Sequence, residues 1–357
     1  MKRIVLTGGG TAGHVTPNMA LIPALLDKGY SIHYIGSYDG IEKKLIEEMG
    51  IPYHGISTGK LRRYFSLQNF SDPFRVVKGF SEAKKLMKEI KPDIVFSKGG
   101  FVSVPVVLAA SAKKIPCIIH ESDMSPGLAN KICIPKASKI CCNFPEAAEN
   151  LPADKAVVTG TPIRQELYEG DAAAAMKFCG FTEVRPTILV MGGSSGALHV
   201  NETIWSCLDT LTARFNVVHL CGKGKTNDAY KDHPNYIQFE YIKDEMKDLL
   251  ALADLVISRA GANAICELLA LQKPSLLIPL PLSASRGDQV LNAASFEKSG
   301  YAKMLTEETL TTDIFLNAVN EVYDNRERYV SAMKQAHSVN ATDIIVDLIE
   351  KETKKRT

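Results

Sequence analysis

The sequence has no run that reads as a membrane span. Its longest apolar stretch, around residues 102–112, falls far short of the ~20 residues a helix needs to cross a bilayer. It also lacks an excess of charge. Forty-two Lys and Arg face 40 Asp and Glu, a net charge of +2, so no whole-molecule basic field points to nucleic acid and any attraction to an anionic surface must be local. Lys2 and Arg3 precede only a short apolar stretch before Thr7-Gly8-Gly9, which reads as a buried strand and argues against a signal peptide. The eight cysteines (117, 133, 141, 142, 179, 207, 221 and 266) form no C-x-x-C pair. With eight scattered histidines they offer no spacing that would hold zinc, so no metal is expected. Several cysteines sit in strand-like runs such as Pro116-Cys117-Ile118-Ile119, and buried free thiols in a reducing compartment follow. With 45% hydrophobic and 23% charged residues, the composition is that of a globular protein and excludes disorder.

What is present is alternation. Short β-branched runs separate helix-period segments, the signature of an α/β fold with parallel sheets. Strands are expected at 3–7, 31–35, 93–97, 117–120, 139–143 and 156–159, with helical patterns such as 18–28 and 40–49 between them. The second half repeats the theme at 187–191, 217–221, 236–239, 255–258 and 275–279. At 357 residues the length favours two domains. Two strands, 3–7 and 187–191, each run into a glycine-rich turn, GGGTAGH and GGSSGA. We expect two Rossmann-like domains, 1–159 and 160–336, joined near Gly160-Thr161-Pro162, where glycine and proline interrupt the pattern. A helix within 337–357 is expected to return to the first domain. Two such domains facing each other would bring their strand ends to one cleft, where open α/β sheets bind ligands.

Gly8-Gly9-Gly10-Thr11-Ala12-Gly13 satisfies G-x-G-x-x-G between a strand and a helix. Such a loop brings backbone N–H groups close to an anion, and the helix dipole adds a favourable field. The acidic ribose partner of a nicotinamide site is missing: 31–35 is followed by Gly36-Ser37-Tyr38, and Asp39 arrives late. An oxidoreductase is thereby disfavoured. His14 closes the loop at the expected first turn of the helix. An imidazole held beside ligand phosphates suits proton transfer near neutral pH; capping or packing is the plainer role. Gly99-Gly100-Phe101-Val102-Ser103 and Gly192-Gly193-Ser194-Ser195-Gly196 are further small-residue turns after strands, the second with hydroxyls for a diphosphate. From Ser258-Arg259 the chain passes through small residues to Glu267 in the next helix, where a carboxylate accepts both hydroxyls of a ribose, unless it is merely solvated. Asp288-Gln289 opens another helix after the loop 280–287, and these side chains suit sugar hydroxyls and helix N-termini alike.

In order along the chain, GGGTAGH, GGFVSVP, HES-x-x-x-PGLANK, GTPIR, GGSSGA, SRAGANAICE and DQ-x-x-NA run from Arg3 to about Tyr301. Together they resemble the MurG family. The resemblance implies a GT-B glycosyltransferase of family 28, two Rossmann-like domains facing across a cleft. It implies inverting transfer of N-acetylglucosamine from UDP-N-acetylglucosamine to the 4-hydroxyl of the N-acetylmuramoyl unit of lipid I. The product is lipid II for peptidoglycan synthesis, and neither cofactor nor metal is called for. Carried over residue by residue, Thr11, Ala12 and Gly13 would lie by the donor's sugar and diphosphate, and His14 near the acceptor hydroxyl as the base. Arg164, Ser194, Ile242, Glu267 and Gln289 match the family's donor contacts. Ile242 would cap the uracil through its backbone, Glu267 would take the ribose, and Gln289 would read sugar hydroxyls beside Asp288. The chain departs from the family twice. His120-Glu121-Ser122-Asp123 stands for HEQN, so the sugar contact falls to Asp123, a carboxylate that only accepts where asparagine also donates. Asp288-Gln289 stands for a Gln-Gln pair.

Residues 60–91 carry nine basic side chains (Lys60, Arg62, Arg63, Arg75, Lys78, Lys84, Lys85, Lys88, Lys91) against Asp72, Glu82 and Glu89. Tyr64, Phe65, Phe70, Phe74 and Phe80 are interleaved. Cations mixed with large rings suit an anionic leaflet, while an amphipathic helix with its lysines in water is the plainer alternative. Base stacking would want similar chemistry, but no nucleic-acid motif accompanies it. Peripheral attachment at the cytoplasmic face of the cell membrane is expected. The competing readings are a UDP-sugar 2-epimerase of the same fold, a paralogous glycosyltransferase with another lipid acceptor, and a non-catalytic nucleotide-sugar-binding protein.

Overall fold

The apolar runs form strands that pair in parallel throughout. A computed structural model describes residues 1–59, 72–193, 196–336 and 340–355. It divides into two units, Met1–Arg164 with Val339–Thr357, and Gln165–Ser338. The first contains β1 (Lys2–Thr7), β2 (Tyr30–Ser37), β3 (Tyr53–Ile56), β4 (Ile94–Ser97), β5 (Cys117–Glu121), β6 (Lys139–Cys142) and β7 (Ala156–Val158), in the order β3-β2-β1-β4-β5-β6-β7. The second contains β8 (Thr187–Met191), β9 (Asn216–Leu220), β10 (Tyr236–Phe239), β11 (Leu255–Ser258), β12 (Ser275–Leu277) and β13 (Lys303–Met304), in the order β10-β9-β8-β11-β12-β13. Strands covered on both faces must be apolar on both faces. Ile4, Val5 and Leu6 of β1 and Ile94, Val95 and Phe96 of β4 are accordingly all fully buried.

Within each sheet the strand order reverses beside the first strand, between β1 and β4 and between β8 and β11. Register places Thr7 beside Ser97 and Met191 beside Ser258. Ligands of open α/β sheets bind outside the carboxyl ends of the strands at such a reversal. The glycine-rich turns start at these four residues.

Two strands outside the expected set, β3 and β13, lie at sheet edges. In Tyr53-His54-Gly55-Ile56 only Ile56 is fully buried, so the apolar run that marks an interior strand is missing. β13 has two residues. The helix Ala341–Lys354 packs into the first unit, where Ile345, Val346 and Ile349 share a core with Ile4, Leu6 and Tyr30. The Asn340 side chain caps it, accepting from Thr342 N at 3.0 Å. Its Glu350 carboxylate accepts from Lys2 Nζ (2.6 Å) and the Tyr30 hydroxyl (2.9 Å).

All eight cysteines are buried and free. Burial pushes up the thiols of Cys117, Cys133, Cys141, Cys142, Cys179, Cys207 and Cys221, Cys141 to about 12, which leaves them protonated and unreactive. Among the described residues no helix is long and apolar enough to cross a membrane, and no group of His, Cys, Asp and Glu could hold a metal ion. Lys60, Arg62, Arg63, Tyr64, Phe65 and Phe70 lie outside the described residues. The rest of that basic stretch is the helix Asp72–Ile90. It buries Ala83, Met87 and Ile90 and exposes Lys78, Lys84, Lys85 and Lys88, together with Phe74 and Val77.

Candidate active site

In the first unit, β1 ends in Gly8-Gly9-Gly10 and β4 in Lys98-Gly99-Gly100, and the two turns touch. Gly100 has φ +82°, and a Cβ there would collide with the Gly9 carbonyl. The Gly100→Ala variant is therefore expected to lose roughly 2–5 kcal/mol, from the left-handed backbone and the overpacking together. Chemical denaturation would measure it, and native-like stability would contradict the contact.

Beneath the first turn lies a group that sequence reasoning missed. Glu42, in the first turn of the helix Ile41–Glu47, is fully buried. Its carboxylate accepts from Gly10 N (3.2 Å), Ser37 N (2.9 Å) and Ser37 Oγ (2.6 Å). The side chain fills the space beside Gly9, where a Cβ would approach Glu42 Cδ to 2.5 Å. The acid at the end of β2 is thus Glu42 and it holds the loop from within, so the Gly10 amide is already committed to an internal anion.

Thr11 and Ala12 are exposed, and Gly13 and His14 half-buried. His14 ends a short 3-10 turn, Ala12–His14, just before the helix Thr16–Asp27, instead of lying in that helix as expected. Thr11 Oγ1 is 3.0 Å from His14 Nδ1. Burial, and then the Lys98 ammonium, push the imidazole down to about 4; its bond to the Gly9 carbonyl and the Glu42 carboxylate pull the other way. His14 is therefore neutral at any pH above about 5.

Beside it, the loop after β5 is organised by Glu121, also buried. Its carboxylate accepts from Asn130 Nδ2 (2.8 Å), Gly127 N (3.0 Å) and Asp123 N (3.1 Å). Burial raises its pKa against the pull of the Asn130 bond. Asp123 is half-buried on this loop, and Arg164 is the half-buried last residue of the first unit's main segment.

In the second unit, β8 leads into Gly192-Gly193; Ser194 and Ser195 lie outside the described residues. Beyond them Gly196, at φ +67°, donates its N–H to the Gly193 carbonyl (2.9 Å). At the end of β11, Arg259 Nη1 donates to the carbonyls of Ile278 and Pro279 (both 3.1 Å) and pairs with Glu307. That side chain ties the ends of β11 and β12 together. Glu267 is half-buried in the second turn of the helix Ala262–Ala270. Gln289 and Asp288 open the helix Asp288–Lys298, which is joined to the β11 turn by Asn292 Nδ2 donating to the Ala260 carbonyl (3.2 Å). Gln289 Oε1 accepts from Leu280 N (3.0 Å), which leaves its N–H donors as the amide's remaining capacity. Asp288 pairs with Arg286 at 2.6 Å. Ile242 is buried in the loop after β10. Glu267, Asp288 and Gln289 thus stand on neighbouring elements around one strand-order reversal.

Comparison with known proteins decides the family. The chain matches the glycosyltransferase family 28 N-terminal domain over residues 4–142 and the C-terminal domain over residues 187–348. It is 62% identical over 350 residues to the UDP-N-acetylglucosamine–N-acetylmuramyl-(pentapeptide) pyrophosphoryl-undecaprenol N-acetylglucosamine transferase of Lachnoclostridium phytofermentans, covering 98% of this chain and 99% of that one. The chain belongs to glycosyltransferase family 28. The enzyme of the same description from Lachnospira eligens is 62% identical over 354 residues, 99% of this chain and 100% of its own. Among solved structures, Acinetobacter baumannii MurG matches with a TM-score of 0.78 at 28% identity, covering 98% of this chain and all of that one. This family 28 chain is a glycosyltransferase of the α/β, GT-B class, with one Rossmann-like sheet in each unit.

Two residues of this glycosyltransferase escaped sequence reasoning, Glu42 and Lys98. The signals for them were faint: glycines at 36 and 40 that leave room for a buried carboxylate, and a lysine at the end of an otherwise apolar strand.

Proposed function

We propose that the protein transfers N-acetylglucosamine from UDP-N-acetylglucosamine to the 4-hydroxyl of the N-acetylmuramoyl unit of a polyprenyl-diphosphate-linked muramoyl-pentapeptide, converting lipid I to lipid II. The observation that carries this reading is the 62% identity, across 98% of the chain, to a transferase whose name states that donor and acceptor. It also favours transfer over the 2-epimerase alternative.

In this reading the second unit takes the donor. The Ile242 backbone meets the uracil, Glu267 accepts from the ribose hydroxyls, and the Gln289 N–H donors meet hydroxyl oxygens of the sugar beside Asp288. Ser194, Arg164 and the loop amides face the diphosphate. Thr11, Ala12 and Gly13 contact the sugar and diphosphate, and Asp123 accepts from a sugar hydroxyl. His14 takes the proton of the acceptor hydroxyl as its oxygen bonds to the anomeric carbon. The bond from that carbon to the diphosphate breaks with its electrons going to UDP, so one displacement inverts α to β. Backbone donors and helix N-termini stabilise the charge that develops on UDP.

A lipid-linked acceptor requires access to a membrane surface. We assign that contact to residues 60–91, at the cytoplasmic face, and the exposed Phe74 and Val77 among exposed lysines support it.

The test is incubation with labelled UDP-N-acetylglucosamine, with and without lipid I. Label should enter a lipid product only when lipid I is present, and the protein should co-sediment with anionic vesicles at low salt. Conversion of the donor alone to its 2-epimer would overturn the reading, as would UDP binding without turnover.

A further inference from the structure

Lys98 is the first residue beyond β4, next to the strand-order reversal of the first unit, and its side chain is 1% exposed. A buried ammonium is tolerated only where its protons find acceptors. Here Nζ lies 2.8 Å from His120 Nδ1 and 3.3 Å from Thr161 Oγ1, and it also bonds Ser122 Oγ. Three N–H groups meet three acceptors. The imidazole explains the arrangement: His120 Nε2 lies 2.9 Å from the Gly160 carbonyl, which only accepts, so Nε2 carries the proton and Nδ1 presents its lone pair to Lys98. The ammonium thereby ties the end of β4 to the loop after β5 and to the segment 160–161.

The same residue is close to the turn that carries His14. Its backbone N–H donates to the Thr7 carbonyl (2.9 Å), and a Cβ on Gly8 would lie 3.2 Å from Lys98 Cβ. A Cβ on the next residue, Gly99, would lie 3.6 Å from His14 Cδ2. The charged groups acting on His14 are Lys98 and Glu42, of opposite sign, and its polar neighbours are the Gly9 carbonyl and the Thr11 hydroxyl.

We propose that Lys98 is a positioning residue for the transfer: its buried ammonium fastens His120, Ser122 and Thr161 to the end of β4 and sets a cation beside the turn that carries His14. The catalytic half of this statement rests on His14 being the base. Lys98 acts through these groups, since its ammonium protons are directed to His120, Ser122 and Thr161. Its effect is to widen, towards acid, the pH range in which His14 can accept a proton.

The experiment uses the full chain with two neutral substitutions. Lys98→Gln keeps hydrogen-bond donors without the charge, and Lys98→Met keeps only length. Histidine-labelled protein is titrated by NMR, with the His14 signal assigned by its loss in a His14→Asn variant, and kcat and KM are measured against pH. In the native chain His14 should titrate at about 4. In either Lys98 variant that titration should rise by about one unit or more, and the acid limb of kcat/KM should move up with it.

An unmoved His14 titration in a folded variant overturns the proposal, even if activity falls at every pH, because a purely structural tie predicts just that. A moved titration with an unmoved acid limb establishes the field of Lys98 on the imidazole and overturns His14 as the base. The two failures are thereby told apart.

Discussion

Replacing His14 with alanine is expected to cut kcat by about 10²–10⁴-fold, the usual contribution of a positioned acid–base group, with a much smaller change in the KM for the donor. At neutral pH the free imidazole is already unprotonated, since burial and Lys98 hold it at about 4. The sign follows from that. The competent form is complete above about pH 5 and is lost as the pH falls through 4, so kcat/KM should be flat around neutrality and decline only in acid. A group this acidic is a weak proton acceptor. The donor and acceptor each bring a diphosphate, and negative charge nearby favours the imidazolium and strengthens the base. The acid limb of kcat should therefore lie at higher pH than that of kcat/KM. Near-native turnover in the alanine variant would remove His14 from the role and leave the proton to another group.

The second large effect concerns stability. Ile349 is fully buried on the helix Ala341–Lys354, within the core of the first unit although it lies more than 300 positions from the strand residues Ile4 and Leu6. Truncation to alanine removes apolar contact and leaves a cavity, and is expected to cost about 2–5 kcal/mol. The chain holds a single tryptophan, Trp205, on the helix Leu198–Ser206 of the second unit, with its Nε1–H donated to the Tyr236 hydroxyl at 2.9 Å. Its emission reports the second unit alone. Calorimetry should show a lowered transition for the Ile349→Ala variant while the Trp205 fluorescence midpoint moves less. An unchanged calorimetric profile would show that this helix contributes little to the first unit.

The interior strands were legible in the sequence. The segments 187–191 and 255–258 coincide with β8 and β11, because both are near-continuous apolar runs bounded by turn residues. The turns were legible for a related reason: G-x-G-x-x-G after a strand is a backbone requirement written in adjacent letters. Edge strand β3 escaped because it pairs along one side only and carries His54 and Gly55 where an interior strand would carry apolar residues. His14 was found from its place in the loop, but its neutrality could not be, since that depends on how deeply the ring is buried and on a lysine 84 positions further along.

Alternation and glycine spacing determined by themselves that this is a two-sheet α/β chain, because each depends on residues a few positions apart, and the motifs in their order carried the resemblance to a glycosyltransferase family. Tertiary structure alone decided that Glu42 folds back to hold the Gly10 amide. It alone brought Lys98 onto His120, Ser122 and Thr161. The partners of Lys98 stand 22, 24 and 63 residues away. A contact across such distances is set by where the chain returns in space, and no local pattern encodes that.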